Sequence, residues 1–177
     1  MNSRGLSALI VGLITFSATG CGVAYRLTGR EAFDIPGISM EPTIKKGERV
    51  VAHLTDGDYA PHEGDVIVYK APPSWSNGNQ SALRISRVIG TPEVDVRCCD
   101  DAGHLDLDGK PLSEPYLATR AASAVDFDVV VPPGRLWVMG DSRDVSMDSR
   151  AHLADSDKGT ISVADVVGVV DVPDRAG

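Results

Sequence analysis

Short apolar runs rich in Val, Ile and Leu recur along the chain between Gly, Pro and Asp clusters, at 48–54, 65–69, 83–89, 94–97, 105–107, 129–131, 136–139 and 166–170. Runs of this length, bounded by turn formers, predict strands of a mostly β, antiparallel domain. The string His104-Leu105-Asp106-Leu107-Asp108-Gly109 alternates polar and apolar residues and ends in Asp-Gly, which predicts a tight hairpin. No long stretch carries helical periodicity between these runs, which argues against a βαβ architecture, because parallel strands need crossovers of a dozen or more residues. Two stretches read as loops: 71–80, with Pro72, Pro73, Asn77 and Gly78, and 118–126, which is rich in Ala and Ser without a period.

The start of the chain has a different pattern. No charged residue occurs from Gly5 to Tyr25, Arg4 precedes that stretch, and Arg26 and Arg30 follow it. Roughly 20 apolar residues at 1.5 Å per residue are what a helix needs to cross a bilayer core of about 30 Å. One N-terminal transmembrane helix is therefore expected, with residues 1–30 as anchor and flanks and 31–177 as a single folded domain. A cleaved segment and a lipoprotein attached through Cys21, after Ala18-Thr19-Gly20, are the other readings. Basic residues on both flanks leave orientation open on charge alone.

Charge narrows the partners. Of 17 basic and 25 acidic residues, only Arg4 precedes Arg26, so the remainder carries a net charge of about −9. A domain of this sign, without a Lys/Arg run, repels phosphate backbones, and nucleic acid is not expected as a partner. Three cysteines do not make a disulfide framework. The neighbours Cys98 and Cys99 are either two thiols or one vicinal disulfide. No Cys/His spacing points to zinc, so no metal is expected.

Three strings carry candidate chemistry. The first, Ile35-Pro36-Gly37-Ile38-Ser39-Met40-Glu41-Pro42-Thr43-Ile44, fixes turns on both sides of Ser39 and presents a hydroxyl close to backbone N–H groups, as a nucleophile and oxyanion donor require. The second, Gly140-Asp141-Ser142-Arg143-Asp144-Val145-Ser146-Met147-Asp148-Ser149-Arg150, is a polar loop dense in Asp and Arg, which bidentate pairs can lock. Taken singly, the first is equally a surface turn and the second a solvated charge run. The third is Arg84-Ile85-Ser86-Arg87-Val88-Ile89-Gly90-Thr91-Pro92.

Together, in this order and behind an apolar segment, the three strings resemble the type I signal peptidases, bacterial serine endopeptidases. Gly64-Asp65-Val66-Ile67-Val68, Asp108-Gly109-Lys110-Pro111-Leu112 and Val166-Val167-Gly168 extend the likeness over nearly the whole chain. The stretch Val96-Arg97-Cys98-Cys99-Asp100, with Trp137-Val138-Met139-Gly140-Asp141, is similar to actinobacterial members. The resemblance implies an antiparallel β-sheet catalytic domain outside the cytoplasmic membrane, secretory preproteins and their signal peptides as substrates, membrane lipid as surroundings, and no metal or nucleotide cofactor. It implies Ser39 as nucleophile, with its own N–H as oxyanion donor beside Gly37, and Met40 and Pro42 at the substrate. Ser146 corresponds to the serine that hydrogen-bonds the base, and Asp148 and Arg150 to an ion pair, while Arg87 keeps the family residue in the third string. Ser142 departs from a common Asn.

The sharper departure is Ser86, at the catalytic position where the family holds lysine. A desolvated lysine can act as general base because burial lowers an ammonium pKa; a serine hydroxyl cannot. Lys70, His53 and His152 are the other groups with suitable chemistry, though each is as readily a solvated or structural side chain. The first rival is thus a catalytically impaired homologue that binds signal peptides or a partner. A self-cleaving repressor-type protease would bring a DNA-binding module in place of the apolar segment.

Overall fold

The computed structural model describes residues 29–79, 81–119 and 121–172. The segment read as a membrane span lies outside the described residues. Among the described residues, eleven strands form two sheets: β1 Arg30–Asp34, β2 Arg49–Leu54, β3 Val66–Lys70, β4 Leu83–Gly90, β5 Asp95–Cys98, β6 Leu105–Leu107, β7 Lys110–Pro111, β8 Phe127–Val130, β9 Arg135–Met139, β10 Ile161–Ser162 and β11 Val166–Val170. The larger sheet runs β1-β2-β11-β3-β4-β9-β10 and the smaller β7-β6-β5-β8, and the pairings are antiparallel. Each of the eight apolar runs forms a strand. The hairpin forms as its sequence predicts: Asp108 and Gly109 connect β6 to β7 with φ of 51° and 79°, the left-handed pair that Asp-Gly supplies.

Alternation explains the layering. In β3, Val66 and Val68 face one core cluster with Met40, Ile44 and Ala52, while Ile67 and Tyr69 face another with Trp75, Val88 and Ile161. β9 does the same at the seam between the sheets: Leu136 and Val138 join the second cluster, and Trp137 and Met139 join a third with Val96, Leu105 and Phe127 from the smaller sheet. A strand buried on both faces is continuously apolar, as Leu-Trp-Val-Met is here. The crossing from β4 into the smaller sheet needs Gly90, where a Cβ would overlap Val96 Cγ2 and approach Val131 Cγ2 to 2.9 Å. Cys98, half-buried at the end of β5, is disulfide-bonded to the exposed Cys99, which selects one of the two states that the sequence leaves open.

Candidate active site

Ser39 is carried by the ten residues that follow β1. Ile35, Met40 and Ile44 are buried and fasten this segment to the sheet, and the Ile44 N–H donates to the Met40 carbonyl at 2.9 Å. The apolar anchors leave Ile38 and Ser39 at the surface between them. From the other side comes the 140–150 loop. The Ser142 N–H donates to the Ser39 carbonyl at 2.9 Å. At Gly140 a Cβ would overlap both Ser146 Oγ and the Ser39 carbonyl oxygen, so only glycine lets the two segments meet.

The third component is Ser86 on β4, buried and opposite Ile67 of β3. Its hydroxyl donates to the Ile85 carbonyl at 2.8 Å and lies 3.3 Å from the Tyr69 hydroxyl. Burial first of all pushes the Tyr69 phenol well above its ordinary pKa, against the lowering effect of the Ser86 hydrogen bond. Tyr69 therefore stays protonated at neutral pH and offers no phenolate to accept a proton.

Ser39, Ser86 and Ser146 line one cleft of about 530 Å³, whose walls include Phe33, Ile35, Val68, Ile85 and Met147. Gly37 lines it too. The ionisable side chains among its lining residues are Asp34 and Arg84. Asp34 is exposed and 3.6 Å from Arg49. Arg84 donates to the carbonyls of Met147 and Trp75 and lies over the Trp75 ring, so it ties the Ser146 loop to the β3–β4 connection. None of the alternative bases lines this cleft. Lys70 borders a separate depression with Glu31 and Asp165, His53 bonds Asp171 and Arg30 on the β2 surface, and His152 stacks on Trp75 with Nδ1 toward Asp155.

Beneath the cleft lies a buried ionic framework. Arg87 donates from Nε and Nη2 to Asp141 at 2.9 and 2.6 Å and from Nη1 to the Gly64 carbonyl at 2.8 Å, while Thr43 donates to the same carboxylate. Burial opposes the Arg87 charge, but hydrogen bonding and attraction from Asp141 outweigh it and raise the pKa, so the group stays cationic. The Tyr116 ring covers this guanidinium, its centroid 4.0 Å away. Asp148 pairs bidentately with Arg150 at 2.9 and 2.8 Å and accepts from the Gly140 N–H at 3.0 Å. Arg143 pairs with Glu114 and donates to the Gly140 carbonyl at 3.0 Å. Both sides of Gly140 are thus held by charged groups.

The residues expected from sequence divide accordingly. Gly37, Ser39, Ser86 and Ser146 meet in the cleft, and Arg87, Asp148 and Arg150 support it from below. Met40 and Pro42 do not line it: Met40 is fully buried against Ile44 and Val66, and the half-buried Pro42 follows a cis peptide bond in the same segment. Asp141, Thr43, Tyr69, Arg84 and the Glu114–Arg143 pair were not assigned from the sequence. Asp141 and Arg143 stood in the second string, where density of Asp and Arg signalled pairing without saying which partners pair. Among the described residues, no group of three His, Cys, Asp or Glu side chains is placed to hold a metal, and no helix is long and apolar enough to cross a membrane.

Comparison with known proteins places this arrangement in context. The family model described as "Signal peptidase, peptidase S26" matches residues 8–173. A signal peptidase I of Mycobacterium tuberculosis is 37% identical over 76% of the chain and 61% of the relative, and a probable signal peptidase I of Mycobacterium leprae is 36% identical over 81% and 69%. The signal peptidase I of Bacillus licheniformis is 36% identical over 72% of this chain and 70% of its own. The crystal structure of a signal peptidase I from Enterococcus faecalis superposes with a TM-score of 0.50 at 27% identity, covering 64% of this chain and 98% of that one. The chain spans about three fifths of the Mycobacterium tuberculosis relative's length.

Proposed function

The chain belongs to the signal peptidase family, peptidase S26, and from that premise we propose that it is a serine endopeptidase that removes signal peptides from secreted preproteins at the outer face of the cytoplasmic membrane. The carrying observation is the convergence of Ser39, Ser86 and Ser146 in one apolar-walled cleft. An extended peptide laid there meets Phe33, Val68 and Ile85, which suit small apolar side chains before the scissile bond. Ser39 Oγ attacks the carbonyl carbon, and the Ser39 N–H receives the developing oxyanion. Ser146 orients the proton-accepting side of the site, while the Arg87–Asp141 and Asp148–Arg150 pairs hold the loops that carry the reacting groups.

Proton removal is the weak step. The hydroxyls of Ser86 and Tyr69 can pass a hydrogen bond but hold no basic pair at neutral pH, so the Ser39 proton goes to solvent. General-base assistance is worth about 10² to 10⁴ in rate, and turnover is slower than a complete dyad allows by a factor of this order. The same observation favours a second reading, a homologue that retains signal peptides without cutting them. The deciding assay uses the full chain in detergent on a preprotein with an Ala-x-Ala site, beside Ser39→Ala. Slow cleavage after that site, lost in Ser39→Ala, is the expected result; peptide retained with equal affinity by both proteins and never cut would establish the second reading.

Residues 1–30 are the proposed single-pass anchor, amino end inside, and 31–177 the extracytoplasmic domain, set among membrane lipid. Protease added to intact spheroplasts is expected to degrade the domain. Complete protection behind a membrane shown to be sealed would reverse the orientation.

A further inference from the structure

Independently of the cleft, we propose that the Cys98–Cys99 disulfide is a surface thiol-exchange site that takes neutral or cationic thiols in preference to anionic ones, and that its reduced form is a vicinal dithiol able to chelate a thiophilic centre. The bond sits at the end of β5 in the smaller sheet, at a groove of about 260 Å³ lined also by Arg97, Asp100, Asp106, Phe127 and Asp128. Cys98 packs against the Trp137 cluster, whereas Cys99 is exposed. A thiolate arriving along the groove therefore reaches Cys99 Sγ. An exposed disulfide belongs to the class that exchanges readily, in contrast to one sealed in a core.

The groove walls give this site a charge preference. Three carboxylates face one guanidinium, and that guanidinium already lies 3.4 Å from Asp95 and 3.3 Å from Asp106. The His104 N–H, followed by the His104 ring and the Ala102 N–H, holds the Asp100 carboxyl below its ordinary pKa, so it is ionised at neutral pH. A local excess of negative charge concentrates cations and repels anions over roughly a Debye length, about 10 Å at 0.1 M salt.

The exchange balances without a further reagent. A thiolate R–S⁻ attacks Cys99 Sγ, forming R–S–S–Cys99 and releasing the Cys98 thiolate, which takes up the proton lost by the attacking thiol. A second thiolate attacks the R sulfur of the mixed disulfide, giving R–S–S–R and the Cys99 thiol. Two thiols are oxidised to a disulfide, and the protein disulfide is reduced to two thiols. Loss of that bond leaves Cys98 at the end of a strand paired with β6 and β8 and Cys99 as the residue that follows it, so the folded domain presents the two sulfurs side by side.

The test uses the full chain in detergent, with Cys21→Ser so that the counted thiols belong to the pair. Native protein is reduced by cysteamine or by 2-mercaptoethanesulfonate, with each rate divided by that of the same thiol on a small neutral disulfide. At low ionic strength the normalised rate for cysteamine should exceed that for the sulfonate at least about threefold. The gap should shrink in 0.5 M salt, about three times shorter in screening length or more than at low salt, and in Asp128→Asn. The reduced protein should then bind phenylarsine oxide one to one, and Cys99→Ser should not. Two free thiols in the protein as purified, thiols released only in denaturant, or equal normalised rates for the two reagents would each overturn the proposal.

Discussion

Replacing Ser86 with lysine is expected to raise the rate of preprotein cleavage at least about tenfold, a floor set below the 10² to 10⁴ that a fully placed general base supplies. Ser86 lines the cleft that holds Ser39 and Ser146, yet is itself only 4% exposed. An amine introduced there loses hydration, and desolvation lowers an ammonium pKa toward neutrality, which turns it into a proton acceptor. The neighbouring Arg84 adds a like charge in the same cleft, pushing in the same direction. The Tyr69 hydroxyl is placed to hydrogen-bond the group that replaces the Ser86 hydroxyl. The measurement is kcat/KM for parent and Ser86→Lys on one Ala-x-Ala preprotein, with thermal unfolding of both recorded so that a folding defect is not read as a catalytic one. A parent that already cleaves rapidly and is slowed by the substitution would show that another group takes the Ser39 proton.

The largest stability effect is expected from Asp141→Ala, at about 3 to 5 kcal/mol, because it strands a buried guanidinium. Asp141 is 1% and Arg87 6% exposed, and the carboxylate also accepts from Thr43 in the Ser39 segment. At about 2 to 4 °C per kcal/mol for a domain of this size, the melting temperature should fall by on the order of 10 °C. Breaking the exposed Arg49–Asp34 pair should cost under about 1 kcal/mol, since such pairs are hydrated and screened. The double replacement Arg87→Met with Asp141→Leu should recover much of the loss, because it removes both charges from the interior. An Asp141→Ala protein as stable as its parent would mean that water reaches Arg87 and that the pair is not the floor of the site.

Most strands were legible because their burial is periodic. The runs that became β3 and β9 are apolar enough to be buried on both faces, and β6 to β7 is announced by Asp108-Gly109. The two strands not foreseen lack such a signal. β1 reads Arg-Glu-Ala-Phe-Asp and owes its extended form to pairing with β2, while β10 is two residues long. Propensity says little about an edge strand whose stability comes from its neighbour. The site divides in the same way. Ser39, Ser86 and Ser146 stand in strings whose order and composition mark them out, but Tyr69 meets Ser86 only through the β3–β4 register, and Glu114 meets Arg143 only across 29 positions of chain. Met40 shows the converse: its place beside the nucleophile suggested contact with substrate, whereas the turns of the segment bury it with Ile35 and Ile44 in the core.

On the proposed topology, β1 also limits how far the proposed nucleophile can stand from the bilayer. Only nine residues separate Gly29 from Ser39, and five of them are pinned in a strand hydrogen-bonded to β2. Even fully extended, the ten steps from Gly29 to Ser39 span no more than about 36 Å, so on the proposed topology the strand is a short, stiff tether. A substrate whose own apolar helix ends at the same membrane surface would meet the serine only within that height, and the place of the cut would be measured from the bilayer as well as read from side chains.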